Sequence, residues 1–128
     1  MILSLMENHS KQLDDLFQAL ADPTRRAVLG RLGHGPASIG DLAAPFDMAL
    51  PSFMKHIRFL EERGLIRTRK EGRVRTCMLE RARFAMLEHW LSEQRAIWEA
   101  RTDRLEQLVL AKQEFLRTQQ KEEQGRRR

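Results

Sequence analysis

Apolar positions recur along most of this chain at three- and four-residue steps, the signature of amphipathic helices. From Ser10 to Leu20, Leu13, Leu16, Phe17 and Leu20 mark one face, with Lys11, Asp14 and Asp15 opposite, and predict a first helix. Ala21-Asp22-Pro23-Thr24 is a helix junction: Asp22 can cap the next helix, and Pro23 sits where a missing N–H costs nothing. The second helix runs through RRAVLGRL, is expected to bury Val28, Leu29 and Leu32, and stops at Gly33-His34-Gly35-Pro36. Ser38-Ile39-Gly40-Asp41 has capping-box spacing and opens a short helix, roughly Ile39 to Ala44, that ends before Pro45. A turn over residues 46–50 leads into a further helix, with Pro51 in its first turn and Asp47 as the expected cap.

That next helix repeats Phe53, Ile57 and Leu60 on one face and turns Lys55, Arg58 and Glu62 elsewhere. Gly64 ends it as a residue able to adopt φ > 0. Two short runs, LIRTRK and RVRTCML, then meet around Glu71-Gly72 and predict a β-hairpin. From Arg83 to about Gln119 no proline or glycine intervenes, and Phe84, Leu87, Trp90, Leu91, Ile97, Trp98, Leu105, Leu108, Val109 and Phe115 recur at helical steps. Such a helix would reach roughly 50 Å at 1.5 Å per residue. Part of its stripe is therefore expected to meet a second copy of the chain. Residues 1–9 are expected to be an N-terminal extension, 10–119 the folded domain, and 120–128 a disordered basic tail.

Charge separates one stretch from the rest. Between Lys55 and Arg75 stand Lys55, Arg58, Arg63, Arg67, Arg69, Lys70, Arg73 and Arg75 against Glu61, Glu62 and Glu71, a net +5 that equals the net charge of the whole chain. A basic helix followed by a basic hairpin suits a polyanion: the helix fits a major groove and the hairpin reaches flanking backbone or minor groove. A solvated charged face would more often mix its signs. Two short helices joined by a turn, the second basic, with a hairpin behind them, make a winged helix-turn-helix. The fold class is thus mainly α with a small β-hairpin and a long C-terminal dimerisation helix.

The remaining composition narrows the classes. At 128 residues and 32% charged, with no apolar run of bilayer-spanning length, the chain is expected to be one soluble cytoplasmic domain without a membrane partner. One cysteine, Cys77, excludes an internal disulfide and a multi-cysteine metal cage. It lies in the second hairpin strand, where a small buried residue is favoured over a redox sensor activated by Arg73 and Arg75. No Gly-rich phosphate loop or Ser/His/Asp arrangement is present, so an enzyme is not expected, nor is a cofactor. A winged helix used for protein or RNA docking without operator specificity is the alternative function.

The segments LADPTRRAVL, SIGDLAAPF, SFMKHIRFLEERGLI and RKEGRVRTCML, taken in this order, resemble the ArsR-type winged-helix transcriptional repressors, over about Leu13 to Leu108. WLSEQRAIWEARTDRLEQL is similar to the branch with a long final helix and no metal-sensing cysteines. The resemblance implies a homodimer built on the first and last helices, through Leu13, Leu16, Phe17, Leu87, Trp90, Leu91, Trp98, Leu105 and Leu108. It implies recognition helices about 34 Å apart on a pseudo-palindromic double-stranded DNA operator, and repression by blocking a promoter.

Carried over by position, the DNA-binding set is Ser52, Met54, Lys55, His56 and Arg58 on the helix, with Arg69, Lys70, Arg73 and Arg75 on the wing. Ala49, Leu50 and Met54 stand where the family commonly has serine, glutamine and serine, and Met54 can touch only a thymine methyl. His56 faces either a phosphate or base, or packs beside Phe59. Arg73 is nearest the wing tip. Which wing arginines face DNA is not set by alternation, since both faces carry charge. The short helix lacks the thiols by which many relatives sense metals, and His89 with Glu93 is too few ligands for a closed site. Trp90, Trp98 and Met86 could line an apolar ligand pocket, though dimer core is the favoured role. No inducer is named by these residues.

Overall fold

The computed structural model describes residues 2–126. Its elements are α1 (Ile2–Ala21), α2 (Pro23–Leu32), β1 (Ala37–Ser38), α3 (Ile39–Ala43), α4 (Leu50–Glu62), β2 (Ile66–Glu71), β3 (Val74–Leu79) and α5 (Arg81–Arg126). They form two units, Met1–Glu88 and His89–Arg128.

The first unit is the winged helix. Its core is a single cluster that includes Leu16 and Ala19 of α1, Val28, Leu29 and Leu32 of α2, Leu42 of α3, and Phe53, Ile57 and Leu60 of α4, closed by Leu65, Ile66 and Cys77. The inner faces expected for α2 and α4 are therefore the buried ones. Leu16 is wholly buried in its own subunit, which removes it from any intersubunit surface, whereas Phe17 is 42% exposed. The sheet has three strands rather than two, in the order β1-β3-β2. Ala37 pairs with Cys77 and Ser38 with Thr76. Two residues are too few for a period-2 pattern, so this strand leaves no trace in the apolar spacing.

Local chemistry explains the joints. Asp22 accepts a hydrogen bond from the Arg25 amide at 2.9 Å, and Ser38 Oγ accepts one from the Asp41 amide at 3.1 Å, so both expected caps form. The expected Asp47 cap does not. The residue before α4 is Ala49, no side chain caps that end, and its carbonyl takes the Ser52 and Phe53 amides instead. Asp47 stands two residues upstream of the cap position.

At the other end of α4, Gly64 has φ +71°, its amide donates to Glu61 and the Leu65 amide donates to Leu60. This is a Schellman closure, and buried Leu60 and Leu65 supply its apolar contact. The hairpin turns on Gly72-Arg73, with Glu71 already paired to Val74 in the strands. Gly72, at φ +61°, takes the first central position of this two-residue turn.

Both long helices outrun their expected limits. α1 begins at Ile2 rather than Ser10, and α5 starts at Arg81 and runs to Arg126, beyond Gln119. No proline interrupts either extension, and Lys, Gln and Glu over 119–124 are good helix formers. The described part of the stretch expected to be a disordered tail, residues 120–126, is thus helical; Arg127 and Arg128 lie outside the described residues. The 46-residue α5 is about 69 Å long, and none of its residues is buried.

A Cβ at Gly64 would meet the Arg83 guanidinium at 3.3 Å on a left-handed backbone. Gly64→Ala should therefore lower stability by about 1–2 kcal/mol, read as a lower urea midpoint with unchanged slope. A wild-type midpoint would show that the chain can leave α4 another way.

Candidate nucleic-acid interface

The rotation of α4 decides which of its side chains face outward. Phe53, Ile57 and Leu60 are at most 1% exposed, so Ser52, Lys55 and Arg58 lie on the exposed side. Met54 is half-buried and packs against the core.

A polar seam pins this rotation. Arg63, the residue after α4, lies 3.6 Å from Asp15 of α1, and His56 Nδ1 lies 3.7 Å from the Asp22 carboxylate at the start of α2. The Arg25 and Arg63 guanidinium groups stack on the Phe59 ring, 4.0 and 3.5 Å from its centroid. Arg25 also donates to the Gln18 carbonyl at 2.8 Å, and Arg26 donates to the Leu20 carbonyl at 2.7 Å, two cations on the last turn of α1. Arg25 Nε is buried without a partner. The DPTRR segment, which in sequence reads only as a junction, thus joins α1 to α2 and seats α4. His56 belongs to that seam, beside Asp22 as well as near Phe59.

On the wing, register sorts the charges that alternation alone left unsorted. Thr68 pairs with Cys77 and Lys70 with Arg75, so those four share a face, the one whose inner end is buried at Cys77. Arg67 and Arg69 lie on the opposite face. There Arg67 reaches Glu80 at 3.2 Å and Arg69 reaches Glu71 at 3.4 Å. Among the described residues, Lys55, Arg58, Lys70, Arg73 and Arg75 form no ion pair with the protein. Lys70, Arg73 and Arg75 instead border a groove of about 500 Å³ shared with Leu50 and Met54 of α4. Wing and helix start therefore flank one concave surface.

Cys77 is fully buried. Burial pushes its thiol up to about 11; Glu61 adds to the rise and Arg75 opposes it. A thiol held protonated is a poor nucleophile. Among the described residues no group of three or more His, Cys, Asp or Glu side chains could hold a metal ion, and no helix is long and apolar enough to cross a membrane. His89 and Glu93 do meet, at 2.9 Å across one exposed turn of α5.

Residues 20–69 match the model of a helix-turn-helix domain family. A helix-turn-helix-type transcriptional regulator of Mycobacterium tuberculosis is 38% identical over 74 residues, which are 58% of this chain and 69% of the relative. The crystal structure of an ArsR family transcriptional regulator is 67% identical, with a TM-score of 0.64, over 69% of this chain and 97% of the other. This chain belongs to the ArsR family. The transcriptional repressor SdpR of Bacillus subtilis is a further relative, 33% identical over 47% of this chain and 67% of its own length. The winged helix-turn-helix described above is accordingly that of a DNA-binding transcriptional regulator, and the mainly helical class with a long final helix stands.

Within this ArsR-family chain the Asp22 carboxyl is held below its ordinary value of 3.8, chiefly by the Arg25 amide; burial, the next largest effect, opposes this, and His56, the Arg25 charge and the Thr24 amide lower it further. A depressed carboxyl stabilises the fold fully above its unfolded pKa, and that contribution is lost as pH falls through the folded one. Asp22→Ala should cost about 1 kcal/mol at neutral pH, and the gap to wild type should close below pH 3.8. A gap that persists into acid would remove the carboxylate from the seam.

Proposed function

We propose that this regulator is a homodimeric repressor that occupies a pseudo-palindromic operator and blocks the promoter it covers. The observation that carries the reading is a set of cations that form no ion pair among the described residues: Lys55 and Arg58 exposed on α4, and Lys70, Arg73 and Arg75 bordering the groove at the start of that helix. On this reading Ser52, Lys55 and Arg58 enter the major groove while Arg73 and its two neighbours hold the flanking backbone or minor groove. Arg69, spent on Glu71, contributes little, and His56 acts by seating the helix. Repression is favoured over activation by the relatives named repressors, although one relative, from Vibrio cholerae, is named a transcriptional activator.

The dimer rests on exposed apolar side chains that a lone chain leaves in water. In the second unit Leu91, Trp98, Leu105 and Leu108 are 49–69% exposed on α5, too large and too regular for a solvated helix face. Leu13, Phe17, Leu87 and Trp90 are proposed as further contacts of the dimer. The winged-helix unit and the C-terminal helix are thus a DNA-binding part and a dimerising part. The proposed site is the cytoplasm, where its DNA would be.

Binding to duplexes selected from genomic fragments, titrated against salt, tests the proposal. Each side chain that neutralises a phosphate adds about 0.9 to the log–log slope. Arg73→Ala with Arg75→Ala should flatten the slope by about that much per lost contact, whereas Arg69→Ala should leave it near wild type. Equal effects of the two variants would overturn the assignment of wing faces, and a flat slope for the wild type would favour a docking module.

Truncation before Trp90 should leave a monomer in analytical ultracentrifugation. A truncated chain that still sediments as a dimer and holds its operator would place the interface elsewhere.

A further inference from the structure

The first two residues of α4, Leu50 and Pro51, carry no side chain able to hydrogen-bond a base. Met48, Ala49, Leu50 and Pro51 precede Ser52, and Leu50 is 56% exposed. In helix-turn-helix proteins the first residues of this helix are the ones that reach base edges. An Asn, Gln or Arg there reads adenine or guanine through two hydrogen bonds; a leucine can only meet the C5-methyl group of thymine. A single exposed leucine is ordinary on any surface. Leu50, however, lies in the groove beside Met54, Val74 and Ile39, where the charged lining among the described residues is Lys70, Arg73 and Arg75. An apolar floor edged by three cations and no acid matches a duplex edge, where methyl groups lie between phosphate strands.

Resting on the DNA-binding reading above, we propose that Leu50 is a specificity-determining residue that selects thymine by its methyl group. Each half-site carries a thymine opposite Leu50, read by apolar contact, while Lys55 and the wing cations hold the adjoining phosphates. The half-burial of Met54 against the core leaves Leu50 as the forward methyl reader.

The test uses the full-length protein and a duplex recovered by genomic selection. Each half-site thymine is replaced in turn by deoxyuridine, which removes only the methyl group. One position should weaken binding roughly four-fold, the worth of one buried CH₂. Leu50→Ala, a change on an exposed first-turn position that acts in both half-sites at once, should weaken wild-type operator binding by at least the square of that factor, roughly sixteen-fold, and abolish the deoxyuridine effect there. Replacing that T·A pair by C·G should also weaken binding, and 5-methylcytosine should restore part of the loss. Deoxyuridine tolerated at every position, or a Leu50→Ala variant as sensitive as wild type, overturns the proposal. In that case a salt-dependent preference for the operator would still uphold DNA binding, whereas no duplex preference at all would overturn both.

Discussion

The presentation of the basic outer face of α4 depends on one constraint: the inner stripe of that helix has no area left to expose. With Phe53, Ile57 and Leu60 closed into the core, turning the helix by even one position would carry an aromatic or aliphatic side chain into water, at about 25 cal/mol per Å² uncovered. That penalty holds Lys55 and Arg58 outward. Hydrophobic burial has no direction along the helix axis, however, and leaves α4 free to slide. The seam supplies what burial lacks. Asp15–Arg63 at one end and Asp22–His56 near the middle fix the axial position against α1 and α2. The Phe59 ring, covered by Arg25 and Arg63, fills the space between them.

The segment DPTRR illustrates how few residues can set a relation between three helices. Asp22 caps α2, Pro23 starts it, and Arg25 and Arg26 return to the final carbonyls of α1. A helix end has unsatisfied carbonyls and a partial negative charge, so two guanidinium groups there satisfy both needs at once. Arg25 then reaches Phe59, and Asp22 reaches His56. The chemistry that joins the first two helices also locates the third, and His56, which a linear reading leaves open between DNA and a packed helix surface, lies beside Asp22 in that seam.

Much of this was legible in the chain, for a physical reason. Burial imposes period, so the inner residues of α2 and α4 announced themselves. Gly64 and the Asp22 and Ser38 caps did so because helix ends have specific chemical needs. Other features were hidden, the reach of α1 and α5 among them. β1 is too short for a period. The Asp47 cap failed because a cap position depends on where the turn closes, one or two residues being decisive. The division of wing charges depends on cross-strand register, which pairs Lys70 with Arg75 and sets Arg69 on the other face. Alternation fixes faces only relative to each other; Cys77, buried at the inner end of its face, supplies the absolute direction.

The second unit poses a different energetic problem from the first. α5 has no buried residue. Among the described residues a His89–Glu93 pair spans one turn of α5, and the Thr102 and Thr118 hydroxyls each donate to a carbonyl one turn back. The exposed pair is worth about a few tenths of a kcal/mol, the hydroxyl bonds do not stabilise a helix, and an isolated helix is marginal in water without a packed face. The apolar series Leu91, Trp98, Leu105 advances by seven, and Leu108 and Phe115 repeat the same step beside it. Gln94, Arg101 and Lys112 interrupt that series. A heptad seam with polar interruptions gains its stability from pairing and its register from the interruptions. In the proposed dimer, helix formation beyond His89 and association are one equilibrium, since the contacts that would join two copies are the ones that keep α5 helical.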